Sequence, residues 1–331
     1  MKKVIVILSL ILVTMSTLIL GGCKHENKIV IAEVTHSVFY APQYVALSEG
    51  FFEDEGLDIE IILASGADKV MSALISKEAD IGLMGPEASV YVYAQGKKDY
   101  AITFAQLTQR DGTFIFGREK IEDFTLEDLK GHSILGGRKG GMPEMTLEYI
   151  LKLKGIEIGQ NDPSKEVNIR TDVAFAAMAG AFIAGEGDFT TLFEPTASEM
   201  EANGNGYILM SVGEETVDVA YTTYQALKSY IDENDEVVTK FSEAIHNAVQ
   251  WTYDTDSKIV AKSIHKYFKE TNIDILTKSI ERYKQINAWS NTPYLSEDEF
   301  IKLQDIVIAA GELDRYMPYN VLVQNKYNSK R

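Results

Sequence analysis

Pro42-Gln43-Tyr44-Val45-Ala46-Leu47-Ser48-Glu49-Gly50-Phe51-Phe52-Glu53-Asp54-Glu55-Gly56-Leu57-Asp58-Ile59-Glu60-Ile61-Ile62-Leu63 is a helix, a stop and a strand in succession. Pro42 suits a first helical turn, and Gly50 ends the helix that it opens. The run 57–63 alternates apolar with acidic residues before ending in Ile61-Ile62-Leu63, a strand with one drier face. Upstream, 29–34 is a compact apolar run and reads as a strand. Downstream, 67–77 sets Val70, Met71, Leu74 and Ile75 on one helical stripe. A short buried strand at 81–84 and a helix from Pro86 to Gln95 follow.

The alternation then continues outward. Strands are expected at 100–107 and 113–116. The pattern restarts with a short helix at 125–130, a strand at 133–135 and a helix at 142–154, with Pro143 at its start and Gly155 at its end. Strand 167–169, helix 173–184, strand 189–193, helix 194–203 and strand 208–212 come next. After a short run at 221–223 the chain turns helical, at 236–253, 257–269, 274–286 and 297–310. Alternating βα units imply parallel sheets with helices on both faces. A restart near 118 and a return near 220 divide the body into 28–117, an inserted 118–220, and 221–331, whose polar end from 325 is expected to fray.

Composition narrows the function. The sequence has 331 residues, a net charge of −17 and a 45% hydrophobic share, enough for roughly two domains with a real core. So acidic a body does not suit nucleic acid or an anionic lipid surface. The five histidines show no HxxxH or HExxH spacing, so zinc has no visible footing. No Ser/His/Asp or paired-carboxylate arrangement stands out, and no catalytic residue, cofactor or metal is assigned.

The only cysteine is Cys23. Lys2 and Lys3 precede an uncharged apolar run at 4–20, which ends in Leu20-Gly21-Gly22-Cys23. This is the grammar of an export signal, and the last four residues resemble a bacterial lipobox. The expectation is a signal peptide at 1–22, cleavage before Cys23, a diacylglyceryl group on its thiol, and a polar tether at 23–27. Two acyl chains suffice for stable anchoring. The alternative is an uncleaved anchor, although the apolar run is slightly short for a span of about 20 residues.

Several blocks carry a resemblance: Pro42 to Ala46, Glu49 to Asp58, Gly66-Ala67-Asp68, Ala79-Asp80-Ile81-Gly82, Gly85-Pro86-Glu87, Gly140-Gly141-Met142-Pro143, Phe193-Glu194-Pro195 and Ala310-Gly311-Glu312-Leu313. In this order they resemble the solute-binding proteins of ABC importers for nitrate, alkanesulfonates, taurine and thiamine pyrimidine precursors. The resemblance implies a type-II periplasmic-binding-protein fold: two α/β lobes, a ligand cleft between them, and here a helical C-terminal region. It implies a monomer that takes a small solute and docks on a permease served by an ATPase.

In open α/β sheets ligands sit beyond the carboxyl ends of the strands. Small-residue loops at Ser65-Gly66-Ala67, Gly85-Pro86-Glu87, Gly140-Gly141-Met142 and Glu194-Pro195 fit that place. Their helix starts offer free N–H groups to an anion. Ser37, Phe39 and Tyr40 follow the first strand; they either line the cleft or cover the core. Glu87 either accepts from a ligand amine or complements its helix dipole. Arg110 either binds an oxyanion bidentately or pairs with Asp111. Arg138 either faces the cleft or solvent, in a loop without the spacing of a phosphate-binding motif. Glu194 either borders the cleft or caps a helix.

The expected ligand is a small organic anion of the aliphatic sulfonate, taurine or nitrate type, with a thiamine-type pyrimidine precursor as the alternative. The helix starts with Arg110 and Arg138 favour a sulfonate, taurine or similar anion. The aromatics Phe39, Tyr40, Tyr44 and Phe193 with Glu87 suit a flat heterocycle such as a pyrimidine. A related thiamine-pyrimidine synthase resembles this fold but carries a cysteine-rich motif, which a chain with one cysteine lacks. A solute sensor feeding a surface receptor is the remaining class.

Overall fold

The computed structural model describes residues 28–216 and 218–328; the expected signal peptide, Cys23 and the whole tether at 23–27 lie outside them. The first half runs β1 (Ile29–Glu33), α1 (Ala41–Ser48), α2 (Phe51–Asp54), β2 (Ile59–Leu63), α3 (Ala67–Ser76), β3 (Ile81–Met84), α4 (Glu87–Ala94) and β4 (Ala101–Thr108). Then come β5 (Thr113–Gly117), β6 (His132–Leu135), α5 (Met142–Leu153), β7 (Ile158–Gln160), β8 (Val167–Arg170), α6 (Met178–Ile183), β9 (Phe189–Phe193), α7 (Thr196–Ala202) and β10 (Tyr207–Ser211). The chain closes with β11 (Thr222–Leu227), α8 (Lys228–Glu233), α9 (Asp235–Asp254), α10 (Ser257–Ile264), α11 (Ile273–Gln285), α12 (Glu297–Ala309) and α13 (Tyr319–Leu322).

Two sheets organise these elements. The first has the order β2-β1-β3-β11-β4 and the second β10-β5-β9-β6-β8-β7. Pairing is parallel in β2-β1-β3 and β9-β6-β8-β7; helices lie between consecutive strands there except β7 and β8, which the short loop 161–166 joins. The sheets are nevertheless mixed, not wholly parallel. β11 runs antiparallel to β3 and β4, and β5 runs antiparallel to β9 and β10. These strands lead into and out of the two passages between sheets. β5 belongs to the second sheet, so the first passage lies at 109–112, ahead of the restart expected near 118.

Local signals explain most boundaries. Pro42 stands in the first turn of α1, and Gly50 breaks it with φ 83°, a left-handed value glycine adopts freely. Ser296 and Glu299 form a reciprocal capping box at α12, while Asn272 caps α11 by accepting from the Asp274 N–H. α9 buries Val238, Phe241, Ile245, Ala248 and Val249 at helical spacing, against α1 and α2.

Several segments differ from expectation: β7 and α8 have no counterpart among the expected elements, and the helix expected at 257–269 is α10 followed by a 3₁₀ turn at His265–Tyr267. The helix expected at 173–184 is a 3₁₀ turn at Phe175–Ala177 followed by the shorter α6. The run expected at 221–223 is the six-residue β11, wholly buried between β3 and β4. Residues 325–328 are packed rather than frayed: Tyr327 and Lys326 reach Asp235, and Asn328 donates to the Phe104 carbonyl.

Candidate functional site

The loops beyond β1, β2 and β3 face those beyond β6, β8 and β9, and a cleft lies between them. Its inner chamber has a volume of about 100 Å³. Tyr40, Gly66, Gly85, Glu87, Tyr221 and Thr222 line it from the first sheet's side. Gly137, Arg138, Met142, Glu144, Phe175 and Phe193 line it from the second. A wider vestibule of about 560 Å³ shares Val34, Thr35, Gly66, Arg138, Phe175 and Phe193 with the chamber and adds Ser37, Ser65, Ala176 and residues 171–174.

Glu87 opens α4 and is only 2% exposed. Its Oε2 has no hydrogen-bond partner. Burial pushes its carboxyl up to about 7, partly offset by its own backbone N–H and by the Arg138 charge. A buried carboxyl oxygen left unpaired costs free energy until something donates to it. Gly85 makes this placement possible: a Cβ there would lie 1.9 Å from Glu87 Oε2.

The helix starts at the chamber are not vacant. α3, α4 and α5 each carry an acid in the first turn: Asp68, Glu87 and Glu144. Each complements its helix dipole. Glu144 Oε2 also accepts from the Gly140 N–H at 3.0 Å, and its Oε1 from Gln160 at 3.0 Å. Burial, then neighbouring Glu148, pushes the Glu144 carboxyl up to about 8. Arg138 is the one lysine or arginine among the chamber's described lining residues, and its Nε stands 3.8 Å from Asp68 across the cleft. The Tyr40 and Tyr221 hydroxyls are held neutral, chiefly by burial. The chamber therefore offers aromatic walls, two protonatable carboxyls and one rim cation.

Among the residues singled out from sequence, Tyr40, Gly66, Gly85, Glu87, Arg138 and Gly141 meet at the chamber, and Ser37, Ser65 and Glu194 at the vestibule. Ser37 Oγ donates to the Glu194 carbonyl at 2.6 Å, across the two halves. Three residues are placed elsewhere. Phe39 is fully buried among Phe193, Tyr221 and Tyr283, because the 3₁₀ turn Val38–Tyr40 sends it into the core. Arg110 does not reach the cleft, nor does it pair with Asp111: its Nε donates to Asp218 at 2.8 Å and an Nη to the Ile286 carbonyl at 3.1 Å. Gly140 packs near Glu312 instead of lining the chamber. The Glu194 carboxylate is taken up by Arg282 at 2.6 Å, Ser198 and Ser279.

Sequence reading missed Tyr221, Thr222 and Phe175. Tyr221 ends the second passage and Thr222 begins β11, where no strand-to-helix signal stands, and Phe175 lies inside an expected helix. Thr35 and His36, between the first strand and Ser37, border the vestibule. Burial of Glu33 leaves its carboxylate accepting from Gln43 at 2.9 Å and Tyr44 at 2.8 Å. The Glu33 hydrogen bond raises the His36 pKa. Among the described residues no group of three His, Cys, Asp or Glu side chains could hold a metal, and no helix is long and apolar enough to cross a membrane.

Residues 38–258 match the family described as NMT1/THI5 like. The chain is 46% identical over 314 residues to the "Putative binding protein YtlA" of Bacillus subtilis (strain 168), covering 94% of this chain and 92% of that one. The structure of the alkanesulfonate-binding protein SsuA from Xanthomonas axonopodis pv. citri, bound to MOPS, superposes with a TM-score of 0.72 at 16% identity, over 90% of this chain and 98% of that one. The periplasmic nitrate-binding protein NrtA from Synechocystis PCC 6803 gives 0.62 at 16% identity, over 77% and 70%. The structural likenesses show the fold: a two-lobed periplasmic-binding-protein architecture.

Proposed function

The chain belongs to the NMT1/THI5-like family, and from that premise we propose that it is the extracytoplasmic solute-binding component of an ABC importer, lipid-anchored at Cys23. It captures a small molecule between its two halves and delivers it to a membrane permease. Binding, not turnover, is its task.

One observation carries the choice of ligand: the unpartnered, buried Glu87 Oε2 in a small chamber with aromatic walls. The acids Asp68, Glu87 and Glu144 stand in the first turns of the helices whose starts an anion would use. Arg110, the other cation of the anion reading, is engaged by Asp218. A dry cavity of about 150 Å³ holds one benzene; the chamber's about 100 Å³ takes a small ring only together with part of the adjoining vestibule of about 560 Å³. Of the two ligand classes expected from sequence, the flat nitrogen heterocycle with N–H donors is the better fit. Tyr40, Phe175 and Phe193 supply faces for its ring, and Glu87 accepts from its amine.

A thermal-shift comparison of 4-amino-5-hydroxymethyl-2-methylpyrimidine with taurine tests this. Ligand at 100 times Kd stabilises by about 2.7 kcal/mol, so a shift with the pyrimidine alone is expected. A shift with taurine alone returns the site to anions. The lipid anchor is tested separately by acyl labelling of the whole chain against Cys23→Ala.

A further inference from the structure

The chain passes between the sheets twice, at 109–112 and at 212–221. The passages lie side by side. The Val219 N–H donates to the Gln109 carbonyl at 2.8 Å, and the Tyr221 N–H to the Thr108 carbonyl at 3.2 Å. Arg110 and Asp218 pair across them at 2.8 Å. A Cβ on Gly213 would come within 2.2 Å of the Asp111 carbonyl oxygen, so the backbones touch.

Between these strands of chain lies Asp111, with no exposure at all. Its Oδ1 accepts from the Thr113 N–H at 2.7 Å and from the Thr113 hydroxyl. Its Oδ2 accepts from the Tyr221 hydroxyl at 2.9 Å. A local cap needs only one oxygen, and a neutral side chain would serve it without burying an acid. The second oxygen is what the acid adds, and it points at a residue of the other passage. Tyr221 in turn forms part of the chamber wall and sets its ring edge-on to Phe39, with centroids 5.7 Å apart.

We propose that Asp111 is a positioning residue for ligand binding: from the first passage it holds the phenol of Tyr221 on the second, fixing a chamber wall and the set of the two passages with one hydrogen bond. Any movement of one half against the other must pass through these segments, so occupancy of the chamber and the geometry of the passages are coupled. This rests on reading the chamber as the ligand site.

Hydrogen–deuterium exchange on the whole chain tests it, comparing wild type with Tyr221→Phe, Asp111→Asn and the double variant. Tyr221→Phe keeps the ring in the wall and removes its tie; Asp111→Asn keeps the Thr113 cap and replaces the acceptor by a donor. Expected is at least tenfold faster exchange in 109–113 and 218–222 for each single variant, with α9 unchanged. The double variant adds little, since both act through one bond. Exchange that stays at wild-type rates in the passages overturns the proposal. So does exchange that rises equally in α9, which marks a purely structural acid. A parallel titration uses 4-amino-5-hydroxymethyl-2-methylpyrimidine, and both single variants should bind it about tenfold more weakly. Unchanged affinity in both overturns the proposal. If wild type does not bind this probe, the ligand reading fails and the exchange result alone decides the positioning role.

Discussion

Arg282 donates to the Glu194 carboxylate at 2.6 Å, from α11 of the C-terminal helical region to the end of β9 in the second sheet. The acid is unexposed, and Ser198 and Ser279 complete its shell. A carboxylate so enclosed has no lone pair directed at a solute. Its work is to hold the second half of the molecule against α11, close to where Ser37 bonds the Glu194 carbonyl.

Glu194→Ala should therefore act on stability. Removing one partner of a buried ion pair costs about 3 kcal/mol, somewhat less here because Arg282 keeps partial contact with water and with Glu201. Urea denaturation measures the loss. Ligand affinity of the folded variant should stay within about twofold of wild type.

Arg110→Ala and Arg138→Ala should part company. Arg110 sits on Asp218, partly exposed and outside the cleft, so its loss should cost about 1 kcal/mol or less and change binding less than the loss of Arg138, only through the passages it ties. Arg138 borders the chamber and lowers the Glu87 pKa. Its removal should shift affinity several-fold while leaving the unfolding midpoint nearly unmoved. Calorimetry and thermal unfolding on both variants separate the two roles.

Gly85→Ala should reproduce the binding defect of Glu87→Ala. The new methyl would stand 1.9 Å from Glu87 Oε2, so the carboxyl must leave its place. A Gly85→Ala protein with wild-type affinity would show that Glu87 does not meet the solute from this position.

Stability should depend on pH with a definite sign. Burial raises Glu87 to about 7 and Asp111 to about 6, and burial with neighbouring Glu148 raises Glu144 to about 8, which carries the fall on beyond pH 7. The folded state then holds protons that the unfolded chain has released, so stability falls as pH rises from about 4 through 7. Glu87 alone accounts for at most about 3 kcal/mol of that fall. Unfolding midpoints of the ligand-free protein between pH 5 and 8 should decline, and Glu87→Gln should flatten part of the slope.

The fold was legible wherever one short signal decides a boundary. Pro42 and Gly50 bracket α1, and the blocks at Gly66, Gly85 and Gly141 mark strand-to-helix turns that do reach the chamber. What was illegible depends on partners distant in sequence. Arg110 finds Asp218 across 108 residues, which no local pattern signals. Phe39 and Tyr40 are neighbours in one 3₁₀ turn, yet only Tyr40 borders the chamber. β11 is expected only over 221–223; Tyr224 to Leu227, which complete it, are buried on both faces between β3 and β4, so they show no alternation to read. Mixed sheet direction follows from the two passages, and passages leave no periodicity to read.

The most direct measurement is calorimetric titration of 4-amino-5-hydroxymethyl-2-methylpyrimidine into wild type and Glu87→Gln at pH 7.5. Saturable binding by wild type, weakened at least tenfold (about 1.4 kcal/mol) in Glu87→Gln, is the result the chamber's chemistry predicts. Equal affinity in both proteins, or heat from taurine and none from the pyrimidine, would contradict it.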